Sequence, residues 1–433
     1  MDRVEPDKAS SPFLHTLWDG FDTFLFAPAS TTSTGTHIKD GMDLKRTMIH
    51  VVLAMQLAFI VGFYNIGHQH YMSLGLYMDG LLDGFLPKLG YGLLQMLPLI
   101  IVVHVVGLGI EFIFASKKGH AIEEGFLVSA FLIPMIMPPD VPLWMVAVAT
   151  AFAVLVAKEA FGGTGMNILN IALTARVFVF FAYPAEISGD SCWVSYDYNL
   201  LHQLVGLKAH TVGLLAQQGV DFASYFNEAG GFIPNATALV DGWSGATPLA
   251  LAAKGGWSEV QAATLPNGNM QYSVANIFFG IIPGSIGETS ALAVILGAGL
   301  LIASGIGSWR IMLSMLLGAI FMSIVLNLLG AVLFPGTDHF IKVPWYYQLI
   351  MGSFFFAMAF MATDPVTASG TDTGKIVYGF MIGVIGMIVR VLNPAYPEGW
   401  MLAILFMNVF APLIDHVVLQ SNIKKRMSRV SVE

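Results

Sequence analysis

The stretch DGWSGATPLA, residues 241–250, is polar in a chain that is 56% hydrophobic and only 11% charged. It contains a hydroxyl residue, Thr247, that follows the two small residues Gly245 and Ala246. Small neighbours leave space for the active site of another enzyme to close over the hydroxyl, and Pro248 stiffens the chain after it. These residue types leave the Thr247 hydroxyl accessible to another enzyme. The alternative interpretation is an ordinary Ser/Gly/Thr surface loop.

A second group of candidate residues consists of carboxylates within apolar stretches: Glu111 in VVGLGIEFIF, Asp364 in FMATDPVTAS and Asp415 in APLIDHVV. A charged side chain at the centre of a membrane helix costs at least about 2.5–3.5 kcal/mol, so each is a functional candidate. Carboxylate oxygens suit a hard cation such as Na⁺. Each carboxylate also lies near a predicted helix end, where it reaches water, and Asp364 before Pro365 is typical of a helix cap.

Two glycine-containing motifs resemble phosphate-binding loops. GTDTGKI, residues 370–376, is one residue short and has Ile where a Mg²⁺-binding Ser or Thr belongs, so we interpret it as a polar connection. FGGTG, residues 161–165, lacks a preceding strand. We interpret Gly162 and Gly163 as a helix break whose free amides meet an anion or a flavin.

These candidates need an apolar framework to position them. The mean hydropathy is +0.71, and soluble domains carry about 25% charged residues, so the composition indicates lipid as the solvent. Apolar runs of about 17–25 residues recur along the chain, and each is long enough to cross a bilayer as a helix. We therefore predict an all-α polytopic membrane protein. The single Cys192 excludes disulfides within the chain and Cys-rich metal sites.

The apolar runs predict about ten transmembrane helices, five on each side of a long loop. The predicted spans are 47–66, 91–115, 124–138, 141–158, 166–183, 288–305, 310–334, 344–362, 375–391 and 399–419. The predicted organisation is an N-terminal segment (1–46) with an amphipathic interfacial helix, a first five-helix unit (47–183), a periplasmic loop (184–287), a second five-helix unit (288–419) and a basic cytoplasmic tail (420–433). We expect no cleavable signal peptide, because the charged N-terminus lacks a short apolar core.

The distribution of basic residues predicts the orientation of these helices. Lys45 and Arg46 precede the first span, and the tail NIKKRMSRV follows the last one, whereas the loop 184–287 contains only Lys208 and Lys254. Because cytoplasmic loops carry an excess of Lys and Arg, both termini are predicted to be cytoplasmic. Thr247 is then on the outer, periplasmic side.

An odd number of spans before and after the loop makes the two halves inverted relative to one another. Faint internal similarity supports this: FLIPMIMPPDVPLW ends the third span and FAMAFMATDPVTAS ends the eighth. FGGTGMNILNIAL opens the fifth span and YPEGWMLAILFMN opens the tenth. Inverted repeats with broken helices place a transport pathway at the repeat interface near the membrane midplane.

Several motifs together resemble one known family. DGWSGAT resembles the recognition sequence of the periplasmic flavin transferase, which esterifies the phosphate of FMN onto the final Thr. The stretches MDLKRTMIHVVLAM, KEAFGGTGMNILNIALTARVFVFFAYPAEISGD, IPGSIGETSALA and RVLNPAYPEGWMLAILFMNVFAPLIDHVV are spread along the chain. Over residues 42–426 the sequence resembles the family of B subunits of bacterial Na⁺-translocating NADH:quinone oxidoreductases, to which the D subunit of the Rnf complex is related.

The resemblance implies two flavins: FMN bound covalently to Thr247 within the motif that includes Asp241, Ser244 and Gly245, and a non-covalent riboflavin. It also implies transfer of electrons to quinone, coupled to Na⁺ export, in the bacterial inner membrane. The partners would be the A, C, D, E and F subunits of a six-subunit complex, and the transferase. NADH is not expected to bind this chain, which lacks a dinucleotide fingerprint, and no nucleic acid partner is expected.

The resemblance also implies residue roles. Acidic residues matching Glu111, Asp364, Asp415 and Asp19 are implicated in Na⁺ uptake or transfer in the family. A family Gly-Gly pair associated with quinone binding corresponds to Gly107-Leu108, so one glycine is replaced here, and Trp18 is expected to form a wall of that site. Two alternatives remain: a subunit like that of the Rnf complex, in which quinone is not the acceptor, and a channel or carrier without redox function.

Overall fold

The computed structural model describes most of the chain. It covers Trp18, Gly20 and residues 34–36, 44–73, 80–118, 125–163, 165–187, 192–195, 245–265, 270–393 and 399–430. The predicted Na⁺ ligand Asp19 and the motif residues Asp241 and Ser244 lie outside the described residues, as does most of the predicted amphipathic helix. Their predicted roles stay predictions.

The first half contains five helices that precede the long connection. They are α1 (Leu44–Ser73), α2 (Phe85–Lys118), α3 (Phe126–Ile136), α4 (Leu143–Ala153) and α5 (Ile171–Ala182). The helix α4 continues as a π-helical segment, Val154–Lys158, and a 3₁₀ turn, Glu159–Phe161. The helix α5 starts where the side chain of Asn170 accepts a hydrogen bond from the Leu173 amide at 3.1 Å.

The connection between the halves is partly helical in its described portion. It contains α6 (Pro184–Ile187), α7 (Pro248–Gly255), α8 (Trp257–Ala262) and α9 (Val274–Phe279). Residues of the segment 245–282 pack with residues 340–351 of the second half in a second, small apolar core. Its buried members are Leu249, Ala252, Val260, Tyr272, Ile277, Ile282, Phe340, Val343, Tyr347 and Met351. The described part of the predicted connection 184–287 is therefore partly helical, and buried apolar side chains dock it on the second half; the predicted bounds and periplasmic side of the connection stay predictions.

The second half repeats the alternation of long and broken helices. Its elements are α10 (Ala291–Ala303), α11 (Trp309–Leu333), α12 (Trp345–Ile350), α13 (Phe354–Phe356), α14 (Asp372–Leu392) and α15 (Trp400–Val430). The helix α13 continues directly as a second π-helical segment, Ala357–Met361. Each half therefore carries a π-helical segment next to an interrupted helix, a geometry that is rare and often found at functional sites.

Six helices in the described part of the chain are long and apolar enough to cross a membrane: Arg46–Ser73, Phe85–Lys118, Leu143–Phe161, Trp309–Leu333, Asp372–Leu392 and Trp400–Arg429. The helices α3, α5 and α10 are apolar but shorter, and the predicted eighth span is divided between α12 and α13. The prediction of an all-helical polytopic membrane protein is confirmed. The predicted tail at 420–433 continues α15 to Val430 rather than forming a separate element.

Close contacts between helices depend on glycine at the crossing points. A Cβ atom on Gly67 would lie 1.8 Å from the Lys88 carbonyl oxygen, and one on Gly92 would lie 1.9 Å from that of Phe63. In the second half, a Cβ on Gly318 would lie 2.3 Å from the Phe380 carbonyl oxygen. Small residues at such points let membrane helices pack by direct backbone contact, and here they hold α1 against α2 and α11 against α14.

Candidate functional site

A cavity lies between the two halves, where the broken helices meet. It encloses about 830 Å³ of empty space, including its open mouth. Its wall combines the first turns of α1, the helix α3, the ends of α4 and α10, the start of α5, and the residues after the second π-helical segment. Its polar lining residues are Thr47, Ser129, Lys158, Asn167, Asn170, Thr363 and Asp364. The remaining lining is largely aliphatic, with the aromatic ring of Phe360.

Lys158, at the end of the π-helical segment of α4, reaches the cavity wall. Its Nζ donates a hydrogen bond to Oε1 of Glu111 on α2, and the two side chains are only 3% and 6% exposed. The Lys158 ammonium also lies 5.7 Å from the centroid of the Phe126 ring. The predicted Na⁺ ligand Glu111 is therefore bound by an internal cation in this structure.

Asp364 lines the same cavity from the second half. Its carboxylate accepts hydrogen bonds from the Val366 amide at 3.1 Å, the Thr367 hydroxyl at 2.9 Å and the Asn170 amide group at 3.5 Å. The contact with Asn170 joins the two halves, because Asn170 caps α5. All three donors are neutral, so the carboxylate charge is not cancelled by these contacts.

Asp415, on α15, lies in a different environment. Its carboxylate accepts hydrogen bonds from the Ser369 hydroxyl at 2.6 Å, the Gly370 amide at 2.8 Å, and the Thr371 amide and hydroxyl at 3.0 and 2.6 Å. These four contacts tie α15 to the turn before α14. The geometry is that of a structural link, since four donors occupy the oxygens that a cation needs.

The predicted quinone residues are not brought together by contacts among the described residues. A Cβ atom on Gly107 would lie 2.0 Å from Cζ of Phe126, so Gly107 makes room for that ring. Leu108 is partly buried against the apolar core, and Trp18 is 40% exposed. The structure gives Gly107 a packing role and leaves the quinone site a prediction.

Gly162 and Gly163 end α4 rather than present free amides, contrary to the sequence interpretation. Both have left-handed backbone conformations, with φ of 121° and 107°. The Gly162 amide donates to the Glu159 carbonyl at 3.3 Å, and the Gly163 amide donates to that of Lys158 at 3.1 Å. Because these amides close the turn after α4, they are not available to an anion, and neither glycine lines the cavity.

Thr247 stands at the start of α7, a well-defined position. Its Oγ1 accepts a hydrogen bond from the Ala250 amide at 3.2 Å, and Pro248 occupies the first helical position. Gly245 and Ala246 are buried, and the Tyr272 hydroxyl donates to the Ala246 carbonyl. Within the described part of the chain, the Thr247 hydroxyl accepts one hydrogen bond and donates none, so its proton is available for substitution.

The helix α7 packs on a turn that is held by a buried cation, Arg390. Leu249, in the first turn of α7, lies close to Gly352, where a Cβ would be 2.5 Å from its Cδ1. The guanidinium of Arg390, which is fully buried, donates to the carbonyls of Gln348 and Met351 at 2.5 and 3.0 Å. Arg390 therefore holds the turn on which the helix of Thr247 rests.

Asp338 stabilises the segment that carries Thr247 at the start of α8. Its carboxylate accepts a hydrogen bond from the Ser258 amide at 2.5 Å, at the start of α8. Partial burial raises the pKa of Asp338, but hydrogen bonds from Ser258, Trp257 and His339 outweigh it and hold the pKa below its ordinary value. In the described ranges, no group of three or more His, Cys, Asp or Glu side chains is arranged to hold a metal ion.

Residues 31–424 match the NQR2, RnfD, RnfE family. A protein of Chromohalobacter salexigens is 39% identical, covering 99% of this chain and 95% of its own length. One from Pseudomonas aeruginosa is 41% identical over 95% and 93%, and one from Azotobacter vinelandii is 40% identical over 96% and 94%. Each is named as the B subunit of a Na(+)-translocating NADH-quinone reductase. The chain belongs to the NQR2, RnfD, RnfE family.

Family membership confirms the resemblance inferred from the motifs. Two residues of the candidate site were missed as such by sequence reasoning, Lys158 and Asn170. Lys158 lies at the end of the predicted fourth span and was assigned no site role, and Asn170 lies within a family-like motif that assigned it no role. One signal in the sequence could have identified Lys158: it lies at the end of an apolar span, shortly before a glycine pair. A lysine buried at such a position requires a partner of opposite charge.

Proposed function

We propose that this chain is the membrane subunit of a Na⁺-pumping NADH:quinone oxidoreductase that carries flavins, passes electrons to quinone and couples this transfer to Na⁺ export. The observation that carries the proposal is the alignment over nearly the whole chain with relatives of that name. The position of Thr247 at a helix start supports the covalent cofactor, and the cavity between the halves supports the second one.

Thr247 fits a phosphoester of FMN. A phosphate on its Oγ1 would lie at the N-terminus of α7, where the helix dipole favours a negative charge. The buried Gly245 and Ala246 hold the backbone while leaving little side-chain bulk beside the hydroxyl. When bound, FMN supplies the electron-transfer chemistry that the protein side chains lack.

The cavity between the halves fits a non-covalent riboflavin. Its lining is mostly apolar with a few convergent polar groups, as is typical of ligand pockets. Leu301, Ile306 and Phe360 present apolar surface for ring faces, while Asn170 and Thr363 supply hydrogen-bonding groups for ring edges. Lys158 adds one cation to the wall.

For Na⁺, the geometry favours Glu111 and Asp364 over Asp415. Glu111 pairs with a residue of the cavity wall and Asp364 belongs to that wall, whereas Asp415 is occupied by four donors. Asp19 stays a prediction from the resemblance. Quinone is proposed to bind near Gly107, Leu108 and Trp18, with Gly107 acting through the packing of Phe126.

The proposed setting is the bacterial inner membrane, with both termini cytoplasmic and Thr247 periplasmic, which the distribution of Lys and Arg supports. The partners are the A, C, D, E and F subunits, quinone, Na⁺, lipid and the periplasmic flavin transferase. The alternatives are a subunit like that of the Rnf complex, which the shared family makes the nearest one, and a carrier without redox function.

Covalent flavin is tested by fluorescence on a denaturing gel, after expression with and without the flavin transferase. We expect fluorescence that persists in denaturant, requires the transferase and is absent in Thr247→Ala. Thr264→Ala, an exposed hydroxyl in the same outer segment, is the matched control and should stay fluorescent. A dark wild-type band in the presence of the transferase would contradict the covalent flavin.

The electron acceptor is tested with the purified six-subunit complex. We expect Na⁺-stimulated reduction of quinone by NADH, lost in Thr247→Ala and retained in Thr264→Ala. Oxidation of NADH without reduction of quinone would favour the Rnf-like alternative, and cation flux without any electron transfer would favour the carrier.

A further inference from the structure

We propose that Lys158 pairs alternately with Glu111 and with negative charge in the cavity. The charge in the cavity then controls when Glu111 is free to bind Na⁺. This inference deepens the proposed function and rests on it, because it requires a redox-active occupant in the cavity. Lys158 is then a positioning residue for coupling.

The first step is that one lysine belongs to both sites. Lys158 Nζ donates to the Glu111 carboxylate, and Lys158 is also one of the residues that line the cavity. Both members of the pair are almost fully excluded from solvent. Taking one partner away from a buried pair is strongly unfavourable, so Lys158 leaves Glu111 only when a second anion or a replacing cation compensates.

The second step is that the neighbouring acid has its own partner. Glu159, next in sequence, pairs with Lys118 on α2 at 3.0 Å, and the Lys118 side chain is 37% exposed. The four charged side chains therefore form two separate ion pairs. Lys118 pairs with Glu159 near the surface, and Lys158 pairs with Glu111 in the interior. Lys118 is absent from the cavity wall.

The third step is that the Lys158 side chain can change its position. It closes a π-helical segment, a geometry that is rare and often found at functional sites, and its four-carbon side chain is flexible. The Phe126 ring, seated over Gly107, provides a second favourable contact for the ammonium. A small displacement past that ring carries the charge from Glu111 toward the cavity.

Coupling follows from these contacts. When an electron arrives from the NADH-oxidising subunits, the cavity gains negative charge and attracts the Lys158 ammonium. Glu111 then lacks its internal cation and binds Na⁺ in its place; when the electron leaves, Lys158 returns and expels Na⁺. Because coupling between two sites is reciprocal, Na⁺ on Glu111 must in turn make the occupant of the cavity easier to reduce.

Asp364 provides an internal contrast. It lines the same cavity, but its carboxylate is held by the neutral donors Val366, Thr367 and Asn170. Its availability to Na⁺ therefore does not depend on Lys158, and loss of Lys158 should leave any Na⁺ effect at Asp364 unchanged.

The test is a redox titration of the non-covalent flavin in the purified six-subunit complex, with dithionite as reductant, at low and at saturating Na⁺ and with choline keeping the ionic strength constant. In the wild type we expect the reduction potential to rise with Na⁺. A tenfold tighter binding of Na⁺ in the reduced form corresponds to a rise of about 59 mV for one electron.

Variants at the two partners should shift the potential in opposite directions. Lys158→Gln should lower it and reduce its dependence on Na⁺ by the part that Glu111 provides, because the compensating cation is lost. Glu111→Gln should raise it at low Na⁺ and reduce the dependence by the same part, because Lys158 is released toward the cavity. Lys118→Gln is the matched control and should keep the wild-type rise.

A Na⁺ dependence in Lys158→Gln equal to that of Lys118→Gln overturns the proposal. If Lys158→Gln fails to assemble, Glu111→Gln decides instead: a potential at low Na⁺ that is no higher than in the wild type overturns the proposal. Failure of the proposed function is distinct: there the wild-type complex yields no non-covalent flavin on acid extraction, whereas the switch fails with the flavin present.

Discussion

The two halves of the molecule each bury a cation near the end of a long helix, and each cation lies over an aromatic ring that packs on a glycine. In the first half, Lys158 lies 5.7 Å from the centroid of Phe126, which packs on Gly107. In the second half, Arg390 lies 5.0 Å from the centroid of Trp400, and a Cβ on Gly386 would lie 2.2 Å from that ring. The arrangement recurs, but the two cations donate to different kinds of acceptor.

The difference in acceptors gives the two cations different roles, and we call Lys158 the switch and Arg390 the anchor. Lys158 pairs with a carboxylate, which can exchange an ammonium for Na⁺ without losing its charge. Arg390 is held by the backbone carbonyls of Gln348 and Met351, and its rigid guanidinium fits two such acceptors at once. The first half thus places its cation beside the cavity, and the second half uses its cation to support the segment that presents Thr247.

The largest expected effect comes from removing the anchor. Arg390→Leu leaves two buried carbonyl groups without their donor, at a cost of about 1–3 kcal/mol each, in addition to the lost contact with Trp400. We expect a strong fall in the thermal midpoint of the solubilised complex and reduced flavin attachment to Thr247, measured by gel fluorescence. Arg310→Gln, which breaks an exposed pair with Asp372, should change the midpoint little. Equal midpoints in the two variants would refute the anchor.

A double-mutant cycle on the switch should give the next largest effect. Glu111→Gln leaves the Lys158 charge without its partner and should cost about 3 kcal/mol, because unpaired buried charges are unfavourable. Adding Lys158→Gln should recover much of the thermal midpoint, since both charges are then absent. If the double variant is as unstable as the sum of the two single ones, the residues do not act as a pair.

Glycine substitutions test whether the rings matter in the same way. Gly107→Ala forces its Cβ toward Phe126 and should cost about 1–3 kcal/mol, while weakening the Na⁺ dependence of the flavin potential. Gly109→Ala, with no atom within 4 Å of the added Cβ, is the control. Gly386→Ala should destabilise the complex without altering the Na⁺ dependence of the flavin potential. A changed dependence in this variant would contradict the distinction between the switch and the anchor.

The smallest expected effect concerns pH and the outer segment. The pKa of Asp338 is lowered in the folded protein, so its contribution to stability is present above the ordinary Asp value and is lost as pH falls through the lowered one. We expect hydrogen-exchange protection of residues 248–262 to weaken in Asp338→Asn at neutral pH and in the wild type under acid. Protection that is unchanged by both treatments would contradict this role.

Much of the fold was predictable because it follows from local sequence. Each of the ten predicted spans overlaps a helix or a broken helix of the structure, since apolar runs in lipid must satisfy their backbone hydrogen bonds internally. The helical docking of the Thr247 segment was not predictable. Its core joins Leu249 and Tyr272 to Tyr347 and Met351, residues that are distant in the chain, and no periodic pattern in the segment marks that contact.

The candidate site was predictable only as a set of separate residues. Glu111 and Asp364 were identified because a carboxylate in an apolar span is costly and therefore informative. Their surroundings were not, because the three carboxylates look alike in sequence. Asp415 is bound by four donors around Ser369–Thr371, whereas Glu111 has a lysine partner that lies 47 residues along the chain.

The sequence by itself determined that this chain is a polytopic helical membrane protein of its family, and it identified Thr247 and the acidic residues within the spans as candidates. Only the tertiary structure decided that Lys158 joins Glu111 to a cavity between the halves, and that Arg390 supports the seat of Thr247. The physical reason is that helix formation and membrane insertion depend on local composition. The partner of a buried charge depends on which helix packs beside it.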